Sequence, residues 1–330
     1  MTKYSNVIGV GYYVPEKNIT NQDLEECLDT TDEWIQKKIG IKERHIAAND
    51  EVTSDLAARA CESALEKAEI TAEDVDMILL ATNTPDHLSP ATAIKVQEKI
   101  GATNAFSFDI KVGGCPGMVY GLTIASKFVS DGSCETILVV TSDLNSRSID
   151  WEERLTAVIM GDGASAIVLQ ASEAPKNGVI LNSDLHTDPK GYYGAYVPAG
   201  GSVEPITMDS LTNRRQYFSM DGRAIFKFAV QAFPETVKGI VDSAGYSLSD
   251  INMIIPHQAN INIIKESLSN LGMPLDKTFC NIEKYGNTGG SSVGIALGEA
   301  LELGVIKKGD LVILVAYGAG LCWGSVLTQF

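Results

Sequence analysis

ITAEDVDMILLATNT at residues 70–84 and YSLSDINMIIPHQAN at residues 246–260 share one pattern: a polar turn with acidic residues, an apolar run, then a loop that opens on polar side chains. At the same offset, about 175 residues, AFSFDIKVGG (105–114) falls on TFCNIEKYGN (278–287) and ETILVVTSD (135–143) falls on DLVILVAYG (310–318). One such match arises by chance, but three in the same order point to two related halves. The join is expected near Glu173–Gly178, where EAPKNG has the Pro, Asn and Gly of a connecting turn. Residues 1–175 and 176–330 are read as the two halves.

Outward from these segments, apolar β-rich runs alternate with helical spacing. Val75–Thr82, Phe106–Ile110, Glu135–Thr141, Ala166–Leu169, Ile251–Ile255 and Leu311–Ala316 read as buried strands, and Ser54–Lys67 and Pro116–Val129 as helices. The alternation predicts an α/β architecture with central sheets covered on both faces. Loops that follow matching strands converge between the halves, so a shared site is expected there. The stretch from about His186 to Gly222, rich in Gly, Pro and Tyr, reads as an insertion or lid.

A chain of 330 residues with 45% hydrophobic and 21% charged residues has ample material for a core. Its opening, MTKYSNVIGVGYYVPEKN, lacks a long apolar stretch, and no segment offers about 18 apolar residues in a row. Secretion and membrane spanning are therefore not expected, and a cytoplasmic location is. The net charge of −16 argues against nucleic acid and leaves only local basic patches for acidic partners. The six cysteines stand far apart without a C-x-x-C pair, which supports neither a disulfide framework nor a zinc cluster, so no metal is expected.

Cys115 differs from the other five. In FDIKVGGCPGMVYGLTIASKFV (108–129) a β-run ends in two glycines, the cysteine follows, and Pro116 opens a helix with Met118, Leu122, Ala125 and Val129 on one stripe. A thiol at a helix N-terminus is expected to have a lowered pKa and to serve as nucleophile. His257 lies just past an apolar run. Asn287 lies in a Gly- and Ser-rich turn leading into an apolar helix. YGAGLCWGS (317–325) is a glycine-rich turn whose N–H groups, with that of Cys115, can form an oxyanion hole. All four elements follow predicted strands. Taken singly, each has an ordinary structural reading: a buried small residue, a hydrogen-bonding histidine, a loop-capping asparagine, a tight turn.

These segments, with TDEWIQKKIGIKERHIA (31–47), WEERLTAVIMGDGASAIVL (151–169), IIPHQAN (254–260) and YGNTGGSSVGIALGEA (285–300), resemble the β-ketoacyl-acyl-carrier-protein synthase III family of the thiolase superfamily, nearly end to end. The resemblance implies a five-layered αβαβα fold and a homodimer. It implies that Cys115 takes an acyl group from acyl-CoA and that His257 and Asn287 bind the oxygen of a malonyl thioester as it loses CO2. Condensation then gives a β-ketoacyl product, with an acyl carrier protein as partner and no cofactor beyond the thioester substrates. Ala319 and Cys115 would supply the oxyanion hole. Trp34 and Arg154 would flank the CoA adenine, Gly222, Phe226 and Asn260 would line the pantetheine channel, and Leu88, Asn145 and Met160 would shape the acyl pocket, Leu88 reaching across the dimer.

The chain departs from the family pattern in several places. Gly114 and Pro116 flank the cysteine where Ala and Ser or Ala are usual, the third turn reads Gly318, Ala319, Gly320 instead of three glycines, and Asn262 stands where an arginine for carrier docking is frequent. Arg223 and Lys227, one helical turn apart, are an alternative basic patch. Asn145 and Met160 replace bulky apolar residues. Together these changes imply a specialised paralogue with an altered starter or a place in secondary metabolism. Two other functions fit parts of the pattern. A papain-like hydrolase has the same Cys, His, Asn order but needs a signature around the nucleophile that GGCPGMV lacks. Acyl transfer from the cysteine to an alcohol or amine, without condensation, needs only the nucleophile and the oxyanion hole.

Overall fold

The computed structural model describes residues 3–330. Nine strands form one mixed sheet: β1 Tyr4–Tyr13, β2 Met77–Ala81, β3 Phe106–Ile110, β4 Thr136–Leu144, β5 Asp162–Ser172, β6 Val179–Thr187, β7 Met253–Pro256, β8 Leu311–Gly318 and β9 Cys322–Gln329. Their order is β7-β8-β9-β6-β1-β5-β4-β2-β3. The two outer regions are parallel, β3 with β2 and β2 with β4 at one end, β7 with β8 at the other. The middle strands pair antiparallel, and β1 meets β6 through a single pair, Asn6 with Val179. That narrow seam lets the sheet turn into two leaves.

Alternation of side chains along the strands shows how the leaves are stacked. Met77 and Leu79 of β2, Ile137 and Val139 of β4, Ile255 of β7 and Val312 and Leu314 of β8 all enter one core with helices α3 Gly117–Ser130 and α6 Ser292–Glu302. The intervening residues face outward on each leaf. Ile78, Leu80, Leu138 and Val140 pack on α1 Thr53–Ala68 and α2 Thr92–Ile100. Ile254, Ile313 and Val315 pack on α4 Gly222–Ser243 and α5 Ile261–Leu271. The result is five layers, α1/α2, leaf, α3/α6, leaf, α4/α5. Both faces of each leaf are covered, which is why these strands read as unbroken apolar runs.

The outer edges carry the segments matched in sequence. β3 pairs with β2 from Met77–Phe106 to Ala81–Ile110, while its counterpart makes only one parallel bridge, Ile254 to Thr278. Strand ends differ from expectation mainly by length: β4 runs on to Leu144, β5 covers Asp162–Ser172 instead of four residues, and β2 is shorter than Val75–Thr82. β1, β6 and β9 were not anticipated. Residues between β6 and α4 form a largely exposed excursion, with a short helix Met208–Thr212 and a hairpin pairing Ala195–Tyr196 with Ser219–Met220. No helix among the described residues is long and apolar enough to cross a membrane.

Candidate active site

Cys115 stands two residues before α3. Gly113 and Gly114 have φ of 52° and 74°, the left-handed region that favours glycine. A Cβ on Gly113 would lie 2.0 Å from the Ala319 carbonyl oxygen, and one on Gly114 2.3 Å from Asn83 Nδ2. The cysteine turn is thus pressed against the β8–β9 turn, and a Cβ at Gly318 would come 3.2 Å from that of Cys115. A helix N-terminus is expected to lower the pKa of a thiol placed there. The structure corrects this: burial pushes Cys115 up to about 12, the Asp143 carboxylate adds to the rise, and only a backbone hydrogen bond opposes it. The thiol keeps partial solvent access but is hemmed in by protein and has an anion, not a cation, for a neighbour.

Asp143, 1% exposed at the end of β4, was not singled out from sequence. Its oxygens accept N–H bonds from Asn83 at 2.8 Å and Gly290 at 3.1 Å, joining the loop after β2 to the loop carrying Asn287. Burial pushes its pKa to about 6 against the pull of those donors. The only sequence signal was a charge closing the apolar run ILVVTSD.

His257 follows β7, whose end is fixed by the His257 N–H to Val315 C=O bond at 2.8 Å. The ring is 1% exposed, and burial lowers its pKa to about 3, so the imidazole is neutral. Its Nδ1 lies 2.7 Å from Ser292 Oγ, which also accepts the Gln258 N–H at 3.3 Å. Among the described residues the serine proton has no other acceptor, so it goes to Nδ1 and the ring carries its own proton on Nε2. His257 therefore presents an Nε2–H donor.

Asn287 is 5% exposed, and its backbone is stitched to the strand entry by bonds to Ile159 and from Gly161. Asn145 Nδ2 reaches the Gly161 carbonyl at 3.0 Å and that of Asn287 at 3.5 Å. Asn287 Oδ1 accepts the Gly289 N–H at 2.9 Å, which orients the amide with Nδ2–H free to donate. Glu299 braces the same loop by accepting from Asn281 at 2.8 Å and Lys284 at 2.6 Å. Asn287 and Ser292 are five positions apart, so the donor amide and the serine that orients His257 hang from one loop at the start of α6. A Cβ on Gly290 in that loop would lie 2.9 Å from the Gly114 carbonyl, next to Cys115. Cysteine, imidazole, carboxamide and the Ala319 turn thus share one end of the two leaves. The Cys115 N–H itself bonds to the Gly113 carbonyl at 3.1 Å, so a thioester oxygen must take it over.

At the surface, Arg154 lies over the Trp34 ring, 4.8 Å from its centroid, and donates to the Asp29 carbonyl at 2.8 Å. Trp34 sits on helix Asp32–Lys38, which Thr31 caps by accepting the Trp34 N–H at 3.1 Å. Asn260 caps α5 and donates to Lys38 at 3.1 Å, and Asn262 donates to the same carbonyl at 2.8 Å. Gly222 and Phe226 lie in the first turns of α4, where Arg223 and Lys227 are exposed. Met160 joins the apolar cluster of Ile35, Ile39, Ile41 and Ile282. Leu88 is 93% exposed.

Two family models match the chain: 3-oxoacyl-[acyl-carrier-protein] synthase III at residues 108–189 and its C-terminal model at residues 241–330. The chain is 45% identical over 326 residues to the β-ketoacyl-[acyl-carrier-protein] synthase III of Caldanaerobacter subterraneus, covering 99% of this chain and 98% of that one. It is 42% identical over 331 residues to that of Clostridioides difficile, covering 100% and 99%. The solved 3-oxoacyl-[acyl-carrier-protein] synthase III from Aquifex aeolicus superposes with a TM-score of 0.91 at 37% identity, over 99% and 100% of the two chains. The priming β-ketosynthase of the R1128 polyketide pathway superposes at 0.90 with 28% identity, over 99% and 97%.

Proposed function

Because the chain belongs to the β-ketoacyl-acyl-carrier-protein synthase III family, we propose that it condenses a Cys115-bound acyl group with a malonyl thioester in fatty acid or related biosynthesis. Cys115 attacks the thioester carbon of an acyl-CoA, CoA leaves with the sulfur electron pair, and the proton given up by the Cys115 thiol passes to the departing CoA sulfur. The negative charge on the former carbonyl oxygen is held by the N–H groups of Ala319 and Cys115. The extender then loses CO2. The C–C bond electrons pass to the thioester oxygen, which meets the His257 Nε2–H and Asn287 Nδ2–H donors. The carbanion carbon attacks the acyl carbon, and Cys115 sulfur leaves. Nothing in this sequence calls for a cofactor beyond the two thioesters.

The observation that carries this reading is the contact of His257 Nδ1 with Ser292 Oγ, which leaves Nε2–H to donate, together with an Asn287 amide whose Oδ1 is already taken by the Gly289 N–H. Two fixed donors suit an enolate, whereas passing the acyl group to an alcohol or amine calls for a base, and a histidine with Nε2 protonated cannot act as one. That second activity is not favoured.

The stacked Trp34–Arg154 pair supports a CoA adenine site, with Gly222, Phe226 and Asn260 bordering the path of the pantetheine. The exposed Arg223 and Lys227 on a chain of charge −16 support docking of an acidic acyl carrier protein. Bare Leu88 fits a homodimer in which a second copy covers it, with Asn145 and Met160 shaping the pocket from within the chain. Residues 1–175 and 176–330 are taken as the two related halves, and the cytoplasm as the place of work.

Intact-protein mass spectrometry after incubation with an acyl-CoA panel, followed by a malonyl-CoA or malonyl-carrier-protein chase, tests the reading. One acyl mass is expected on Cys115, removed by the chase as a β-ketoacyl product. Labelling elsewhere, or discharge of the acyl group without CO2, contradicts it.

A further inference from the structure

Tyr317 is the last but one residue of β8, next to the glycine that faces Cys115. Its side chain is 2% exposed, and its hydroxyl has no hydrogen-bond partner among the described residues. Its ring stands edge-on to His257, with centroids 5.5 Å apart and planes at 72°. Burial first, then the nearby Cys115 and Cys280, push its ionisation upward, so it stays a neutral phenol. A buried hydroxyl without a partner destabilises a fold, and phenylalanine would fill the same space without that cost. Other buried orphans, such as those on Ser267 and Thr328, sit on helix or strand flanks away from the three reactive side chains.

The hydroxyl makes no bond to the thiol, so an atom of a bound substrate is the partner to look for. The oxygen of the acyl-cysteine already has the N–H of Ala319. The extender oxygen is the one expected on His257, the ring against which Tyr317 packs. We propose that Tyr317 is a third hydrogen-bond donor to the thioester oxygen of the malonyl extender, acting with His257 and Asn287 as the enolate forms. This deepens the condensation reading and rests on it. As the bond to the departing carboxyl carbon breaks, its electron pair moves through the extender to that oxygen and CO2 leaves uncharged. A neutral phenol near the oxygen gains most in strength when the charge is greatest, which is the requirement for raising the rate. No proton leaves Tyr317.

The full chain carrying Tyr317→Phe is compared with the unaltered protein in three measurements: ligand-free melting, the rate of acyl loading on Cys115, and CO2 release from malonyl thioester on preloaded enzyme. The expected result is an equal or higher melting temperature, loading within about twofold, and CO2 release slowed about 10- to 100-fold. A lower melting temperature shows that the hydroxyl has a protein partner and overturns the assignment. So does CO2 release within about twofold of the unaltered protein, or loading slowed as much as CO2 release. If the unaltered protein condenses normally while the variant matches it, only the Tyr317 assignment fails. If the unaltered protein releases no CO2, the condensation reading fails and takes this one with it.

Discussion

Replacing Ser292 with alanine should cripple decarboxylation while sparing acyl loading. The hydroxyl sits 2.7 Å from His257 Nδ1, is 2% exposed, and accepts the Gln258 N–H at 3.3 Å. Removing it strands a ring nitrogen and a backbone donor in a dry setting, at a cost of about 1–3 kcal/mol of folding stability. It also removes the force that keeps the ring proton on Nε2. Losing a net bond of about 1–1.5 kcal/mol lets the other tautomer compete, and a ring with its proton on Nδ1 offers the enolate a lone pair instead of a donor. CO2 release on preloaded enzyme should fall roughly tenfold or more. Loading of Cys115, followed by intact mass, should change by less than about twofold because His257 donates to neither the acyl carbonyl nor the thiol. Nitrogen-15 spectra of the unaltered protein should show His257 with Nε2 protonated and Nδ1 bare. A protonated Nδ1 there, or an unchanged rate in the variant, refutes the tautomer argument.

Four further outcomes follow from the geometry. Because the Cys115 thiol is pushed up to about 12, alkylation of Cys115 by iodoacetamide should rise close to tenfold per pH unit from pH 7 to 10 without a plateau, and a plateau below pH 8 contradicts the raised pKa. His257 takes a proton near 6.5 in the unfolded chain but only near 3 when folded, so its stability contribution is full above 6.5 and declines as pH falls toward 3; CO2 release should show no histidine limb between pH 5.5 and 8. Gly113→Ala places a Cβ against the Ala319 carbonyl in a left-handed backbone, which should cost at least about 2 kcal/mol in denaturant melts and abolish loading, whereas Gly132→Ala, with open space around it, should lose only the backbone preference of about 1–2 kcal/mol and keep loading. Trp34→Ala removes the ring stacked under Arg154 and should raise KM for acyl-CoA about 3- to 30-fold with kcat little changed, while a fall in kcat at saturation would place Trp34 elsewhere in the cycle.

How much of this was readable depends on where each signal lies. Strands buried on both faces, such as Ile137–Val140 and Val312–Val315, announce themselves as apolar runs, and β3 was read to its ends. β1 hid because Gly9 and Gly11 interrupt its pattern. Both are there so that α1 can approach: a Cβ on either would lie 2.2–2.3 Å from Ala64 backbone atoms. β6 and β9 mix Ser, Asn, Asp and Gly into their runs, and their antiparallel pairing in the middle of the sheet leaves no mark at short range. At the site, Cys115 and His257 each follow a strand and Asn287 closes a glycine-rich turn before a helix, which local pattern can find. Asp143, Ser292 and Tyr317 matter only through partners far away in sequence, Gly290, His257 and Cys115 among them. The sign of the Cys115 shift was missed for the same reason. A helix end is visible in sequence, whereas the burial of the thiol, and with it the carboxylate brought alongside from β4, is not.

The central claim is that one chamber both holds the acyl group and makes the carbanion that removes it. Enzyme loaded with a single isotopically labelled acyl group, purified free of acyl-CoA and given malonyl thioester, should release one CO2 for each acyl group lost from Cys115, with the label recovered in a β-ketoacyl product. Loss of label without matching CO2, or CO2 release that leaves the acyl-cysteine intact, would contradict the account.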